Sequence, residues 1–515
     1  MTSALEEAKY LFELGLYFFE KEDFARAEEQ FKEALRLAPD RPSILVNLSA
    51  TLIQFGKWDE CEKTCQKILS IEPSNYDALL NLSICLTKTQ RELQALQRLD
   101  QVIEINPDSD QAWTNKGNIL QEIGKLTEAS DCFNAALSIN HQSQEALIGR
   151  GNLQNELKEY HAALEDLDAV LKLNPSNAQA KWNKALSLLR LGNFEEGWQL
   201  YEARWQVPGM REHTRNFNVP LWLGNESLKN KTILIHAEQG YGDTIQFSRY
   251  IPLLESKGAK VILEVPKSLT SLMYSLSTDI KVVERNTIDA QDFEDLIDFH
   301  CPIMSLALAF STTLDTIPQH TPYLFVNEKT HEIWRNRLAK ISNQTSSDKT
   351  IFRVGIAWSG SGHYAGKNNL KRDVPTNDIT DLINCFDQKN IEFHSLQVED
   401  ERNKEIHRTI KRGFYSHAQQ LKNFSDTAAL MAGLDLIISI DTATAHLAGA
   451  LNLPTLLLIP DPPDFMALIS GNKTPWYSST RLLRQKSAGD WTYPLNRAKN
   501  LIGTLDSSNN LESFI

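Results

Sequence analysis

Three short stretches of this chain combine residue types able to handle a phosphorylated ligand and a reacting hydroxyl. In HAEQGYGDTIQF, Gly240 and Gly242 permit a tight strand-to-helix turn, and Asp243 falls at the helix start. A carboxylate there can serve as a helix cap, worth about 1 kcal/mol, or take a proton from an acceptor hydroxyl. A dinucleotide fingerprint would need a third glycine where Ile245 stands, and no Walker lysine follows. In WSGSGHYAGKNNLKRDVP, the small residues Ser359, Gly360, Ser361 and Gly362 let backbone amides approach an anion, and Lys367, Lys371 and Arg372 add positive charge. The bland alternative is a solvated basic loop. In SIDTATAHLAGAL, an apolar strand ends in Asp441-Thr442, which open a helix through Ala443 and Thr444. Free N–H groups and the helix dipole then aim at an anion, and His446 lies one turn further in. Singly, Asp441 reads as a cap and His446 as a packed core histidine; together they read as a phosphate cradle. Gln397, at the end of FHSLQ, is placed to meet a ribose or base, or to serve the structure. No metal site is expected, because Asp108-Ser109-Asp110 lies in a turn between repeats and reads as a helix cap.

The first element able to position anything is a repeat. Prolines fall at Pro39, Pro73, Pro107 and Pro175, with His141 in the gap, at a 34-residue step. On that period one small-residue column reads Gly15, Ser49, Ser83, Gly117, Gly151 and Ala185. A second reads Ala27, Cys61, Ala95, Ala129 and Ala163, and a bulky column reads Phe31, Cys65, Leu99, Phe133 and Leu167. Two helices of a hairpin approach closely only where small residues cross, and proline ends the second helix because it lacks the backbone N–H. The pattern resembles the tetratricopeptide (TPR) family: five clear repeats and a degenerate sixth over residues 1–205, with Gly197 leading into GWQLYEARW. That resemblance implies a concave groove that binds protein. Asn47, Asn81 and Asn115 share one phase on the first helices. They form either a solvated polar face or a ladder for an extended peptide.

Residues 206–230 lose helical periodicity and read as a linker. Residues 231–340 then alternate apolar strands (KTILIHAE, AKVILEVP, IKVVER) with helical stretches, including GDTIQFSRYIPLLESKG. The polar segment KISNQTSSDKT (340–350) reads as a second linker. Residues 351–485 hold another series, with strands IFRVGIAWSG, IEFHSLQ, LDLIISI and TLLLIP, and residues 486–515 pack back on the domain. The expected fold is an α-solenoid followed by α/β, two Rossmann-like halves in the GT-B manner, with ligand in the cleft at the strands' carboxyl ends. The aromatic stretch TPWYSSTRLLRQKSAGDW either closes that cleft or, the preferred reading, packs.

A net charge of −13 argues against a dedicated nucleic-acid binder, though not against a local basic pocket. None of the six cysteines forms a CxxC pair, which fits buried free thiols in a reducing compartment. MTSALEEAKY lacks the features of a signal peptide, and the apolar runs near Ile303–Phe310 and Leu456–Ile459 are too short to span a bilayer. A cytoplasmic protein without a transmembrane segment is expected.

On GYGDTIQF, W-x-G, DTAALMAGLDLIISIDTATAHLAGAL and PWYSSTRLLRQ…GDW, the region from about Gly197 to Leu501 resembles the glycosyltransferase family of the heptosyltransferases, and more closely its TPR-fused relatives. The resemblance implies that the acceptor-side half is 231–340 and the donor-side half 351–485. Asp243 falls on the family's base. Lys371 or Arg372 falls on its diphosphate-holding cation, and Asp441, Thr442, Ala443, Thr444 and His446 on its phosphate-cradling helix start. Gly240, Gly242, Ser359, Gly360 and Gln397 complete the nucleotide-binding set. It further implies inverting, metal-independent transfer from a nucleotide sugar, a co-substrate with no separate cofactor, to a hydroxyl on a surface or flagellar protein docked by the array. A non-catalytic TPR scaffold with a relic nucleotide pocket is the alternative. The family often has glycine where Ala443 stands, and its Trp358-to-Lys371 spacing is shorter.

Overall fold

A computed structural model describes every residue except 1, 212–213, 286, 288–295, 343–350, 361–371, 387–389, 399, 411–412 and 509–515. The chain divides into two compact units, Met1–Asn183 and Lys184–Ile515.

The first unit is a helical solenoid. Its hairpins are α1 (Thr2–Glu20) with α2 (Phe24–Leu37), α3 (Pro42–Gln54) with α4 (Trp58–Ile71), and α5 (Tyr76–Lys88) with α6 (Glu92–Ile105). They continue as α7 (Asp110–Glu122) with α8 (Leu126–Ile139) and α9 (Gln144–Glu156) with α10 (Tyr160–Leu173). The two sequence columns turn out to be partners. A Cβ on Gly15 would lie 2.5 Å from the Phe31 ring, one on Gly117 would lie 2.8 Å from Phe133, and one on Gly151 would lie 3.3 Å from Leu167. Both positions that face a phenylalanine ring, Gly15 and Gly117, are glycine. Phe31, Cys65, Leu99, Phe133 and Leu167 are all fully buried. The same crowding interrupts the asparagine phase at Gly149, where a Cβ would collide with the Phe133 ring. Where a proline follows, the second helix of the hairpin ends just before it, because proline cannot continue the ladder.

In the second unit α11 (Ala178–Leu191), in whose course the unit begins, is followed by α12 (Phe194–Tyr201) and a 3₁₀ turn, Glu202–Gln206. Two parallel sheets come next. The first contains β1 (Thr232–His236), β2 (Lys260–Val265), β3 (Lys281–Glu284) and β4 (Phe299–Pro302) in the order β3-β2-β1-β4. Its helices include α13 (Tyr241–Phe247), α14 (Ile251–Ser256), α15 (Lys267–Met273) and α16 (Leu306–Ala309). The long helix expected after Gly240 is broken by a 3₁₀ turn at Ser248–Tyr250, since Pro252 in the first turn of α14 has no N–H to donate back.

The helix α17 (Glu328–Ser342) precedes the second sheet and takes up the first residues of the expected polar linker. That sheet contains β5 (Phe352–Ala357), β6 (Ile391–Ser395), β7 (Phe414–Ser416), β8 (Leu436–Ile440), β9 (Thr455–Ile459) and β10 (Thr480–Arg484). Its order is β10-β9-β8-β5-β6-β7, all parallel, with Val354 paired to both Phe393 and Leu436. Strands β6, β8 and β9 are buried along their whole length, and β8 and β9 accordingly read as near-continuous apolar runs rather than alternating ones. Its helices are α18 (Thr376–Asn384), α19 (Asp400–Thr409), α20 (Phe424–Met431), α21 (Ala443–Ala450) and α22 (Thr492–Ser508). The last packs Leu495, Ala498 and Ile502 into the core of this second sheet. In both sheets the strand order, not the strand direction, reverses between the first and fourth strands, β1/β4 and β5/β8. A crevice at the carboxyl ends forms at each such reversal, and ligands of α/β sheets bind there.

Candidate functional site

The reversal in the second sheet brings together the loops after β5 and β8, which are the loops bearing Ser359-Gly360 and Asp441-Thr442. A Cβ on Gly360 would lie 3.7 Å from the Thr442 side chain, so the two turns touch. Thr442 is the N-cap of α21 but makes no side-chain cap bond; its hydroxyl turns back to the Ile440 carbonyl at 3.4 Å. The first amides of α21, those of Ala443 and Thr444, are therefore left uncapped at the positive end of the helix dipole.

The turn after β1 meets this helix. A Cβ on Gly242 would lie 2.8 Å from Cδ2 of His446 and 3.5 Å from Cα of Ala443. Gly242 thus allows α13 to lie directly on α21, which sets Asp243 beside Asp441. Asp243 is not the N-cap itself. Gly240 occupies that position, and its N–H donates to Oδ2 of Asp243 at 2.9 Å.

Electrostatics single out the same groups. Burial pushes Asp243 up to about 7, assisted by the neighbouring charges of Asp464 and Glu238. Asp441 is likewise pushed up to about 7 by burial, Asp464 and Asp243, with Arg372 pulling the other way. His446 is driven down to about 3 by burial and by the Arg249 cation, so it is neutral at pH 7. Its Nδ1 lies 3.1 Å from the Tyr477 hydroxyl, and its Nε2 is 3.8 Å from Asp441. Arg249 is buried, donates to the Trp476 carbonyl at 2.9 Å and faces the rings of Tyr323, Trp476 and Tyr477. Residues 476 and 477 of the aromatic stretch are thus packed in the interior, and Gly449 is the position that lets the Tyr477 ring lie on α21.

The loop after β5 behaves differently from a bare anion nest. The Gly360 amide donates to Asp373 at 3.0 Å, and the Ser359 and Trp358 amides donate to Oε1 of Gln397 at 3.3 and 3.1 Å. Gln397 also donates to the Ser359 hydroxyl at 3.2 Å, so its amide braces the loop and retains a single spare N–H. Arg372 lies against Gly360, and its buried Nε has no hydrogen-bond partner among the described residues. Lys371, Lys367, Ser361 and Gly362 lie outside the described residues.

Reading by motif missed Glu238, Asp373, Arg249 and Asp464. Asp464 carried a signal, since it follows two prolines directly after an apolar strand. Arg249 carried none, because apart from the Gln246 carbonyl its partners are far away in sequence. In the first unit, Asn47 bonds the Ser43 carbonyl of its own helix, Asn81 reaches the Ser49 hydroxyl of the preceding repeat, and Nδ2 of Asn115 is buried without a partner. Among the described residues no group of three or more His, Cys, Asp or Glu is arranged to hold a metal ion, and no helix is long and apolar enough to cross a membrane.

Comparison with known proteins matches residues 18–80, 77–109, 99–129 and 148–206 to tetratricopeptide repeat models. Residues 372–488 match glycosyltransferase family 9 (heptosyltransferase). The chain is 25% identical over 339 residues to Protein FlbA of Caulobacter vibrioides, an alignment covering 62% of this chain and 54% of that protein. The chain thus spans about half the length of the curated relative it matches. A thermophilic TPR protein of Thermus thermophilus is similar over 35% of this chain and 99% of its own, at 18% identity and a TM-score of 0.33. PilF of Pseudomonas aeruginosa is similar over 41% and 96%, at 20% identity and a TM-score of 0.34. The chain carries tetratricopeptide repeats followed by a domain of the glycosyltransferase family 9 (heptosyltransferase) type.

Proposed function

We propose that this protein is an inverting, metal-independent glycosyltransferase that moves a sugar from a nucleotide-sugar donor to a hydroxyl of a protein docked on the repeat array. The observation that carries this reading is the contact of Gly242 with His446 and Ala443, which joins a carboxylate-bearing turn to an uncapped helix start. The donor diphosphate is held by the amides of Ala443 and Thr444, the Ser359 hydroxyl and the buried Nε of Arg372, with Lys371 the other candidate cation. His446 contributes as a neutral donor.

Transfer is a single displacement. The acceptor oxygen bonds to the anomeric carbon as the bond to the phosphate oxygen breaks, and inversion follows from attack opposite the leaving group. Asp243 takes the hydroxyl proton; a carboxylate poised near 7 has the affinity a general base needs at neutral pH. The departing nucleoside diphosphate keeps the electron pair, and its growing charge meets Arg372 and the α21 dipole. A protein acceptor, such as a surface or flagellar subunit, is favoured because TPR grooves bind protein.

The test is nucleotide release by the purified chain from UDP-, GDP-, ADP- and CMP-linked sugars. Asp243→Asn should abolish release while leaving the donor's thermal shift in place. Undiminished release would sink the assignment of the base.

A further inference from the structure

Residues 184–206, the end of the degenerate sixth repeat, belong to the same compact unit as the two sheets. Their side chains reach the carboxyl-end loops of both sheets. Trp198 is buried edge-on against Phe247 of α13 and against Phe465 of the loop after β9, with ring centroids 5.7 and 5.6 Å away. Arg190 donates to the Pro463 carbonyl in that same loop at 3.1 Å, next to Asp464. The Tyr201 hydroxyl accepts from Gln239 at 2.9 Å.

Arg204 goes deepest. Its guanidinium is fully buried and grips both oxygens of Glu238, at 2.8 Å from Nε and 3.0 Å from Nη2. Nη2 also donates to Ser305 after β4 at 2.8 Å, and Nη1 donates to Glu202 at 2.7 Å. Glu238 accepts in addition from the Met304 amide at 3.0 Å. One cation therefore fills the reversal crevice of the first sheet, tying the β1 end to the β4 end. Glu238 lies two residues before Gly240, on the turn that carries Asp243.

A buried ion pair is weak evidence for stability alone, because desolvation offsets most of the attraction. Its location has a more direct consequence. We propose that Arg204 is a positioning residue of the transfer site: by locking Glu238 it holds the Gly240–Asp243 turn and sets the charge that Asp243 faces. This rests on the reading of Asp243 as the base. The groups facing Asp243 are Glu238 on its own turn, Asp464 after β9, Asp441 after β8 and, more distantly, the Tyr201 hydroxyl. Those facing Glu238 are Arg204, Glu202, the Met304 amide, the Tyr201 hydroxyl and the Cys301 thiol.

The experiment labels protonated carboxyls in the full chain with a water-soluble carbodiimide and an amine, from about pH 5 to about pH 9, and maps Asp243 by mass spectrometry. Glu238→Gln removes a negative neighbour and leaves Arg204 unbalanced, so Asp243 should lose its proton at lower pH. Its labelling near pH 7 should fall about twofold, which is what a downward shift of roughly half a pH unit gives for a midpoint near 7. Arg204→Met should move the profile the opposite way. If the orphaned Glu238 prevents that variant from folding, the double variant Arg204→Met with Glu238→Gln should fold and give a profile between wild type and Glu238→Gln. An unmoved Asp243 profile in folded Glu238→Gln would overturn the proposal. So would an unlabelled Asp243 in the wild type, since the proposal needs that carboxyl open to the site. Full nucleotide release by Asp243→Asn would remove the base but leave the labelling outcome standing, so the two failures are distinguishable.

Discussion

Asp243→Asn separates a catalytic carboxylate from a helix cap by the sign of its effect on stability. The ordinary aspartate value is 3.8, and burial beside Asp464 and Glu238 raises Asp243 to about 7. Below the lower value the carboxyl is protonated in both folded and unfolded chains, and folding is indifferent to it. Between the two values the folded chain must keep a proton that the unfolded chain has released, so stability falls as pH rises, and above about 7 the loss is complete. About three units at 1.36 kcal/mol each give on the order of 4 kcal/mol as an upper bound, since Asp441 and Asp464 share the repulsion. Asparagine keeps an oxygen to accept the Gly240 N–H and carries no charge. The variant should therefore be more stable than wild type at pH 8, by several degrees in Tm, and nearly equal to it near pH 4, while losing transfer. Tryptophan fluorescence is the natural probe, because seven of the ten tryptophans lie in residues 184–515. A variant that is instead less stable than wild type at pH 8 would show the ionised carboxylate to be favourable at the start of α13 and refute the reasoning.

Gly242→Ala puts a Cβ 2.8 Å from the His446 ring, so α13 must move off α21. Overpacking of that kind costs about 1–3 kcal/mol, and nucleotide release should fall at least about tenfold with far-ultraviolet dichroism unchanged. Arg372→Ala should weaken binding of a nucleoside diphosphate by roughly 10- to 100-fold in titration calorimetry, the worth of one charge-assisted hydrogen bond. It should also raise Asp441 further, because Arg372 is the cation holding that carboxyl down. In the array, Phe133→Ala empties the space facing both Gly117 and Gly149 and should cost about 3–5 kcal/mol in denaturant melts, with release of nucleotide unaffected.

Much of this architecture was legible one residue at a time. The 34-residue period announced the solenoid because hairpin helices cross only at small residues, and Gly117 facing Phe133 is that rule seen in space. Uninterrupted apolar runs announced buried parallel strands, and the glycine turn and D-T-x-x-x-H string marked two strand-to-helix turns that meet in the structure. Short edge strands such as Phe414–Ser416 were not legible, because three residues carry no period. In the sequence Gln397 fits a ligand contact and a structural role alike, and only the Trp358 and Ser359 amides at its oxygen show it bracing a loop. Only the tertiary structure brought Asp464, Glu238 and Arg204 around Asp243. Their effect on that carboxyl falls off with distance in space and rises with loss of water, and neither quantity is written in the order of residues along the chain.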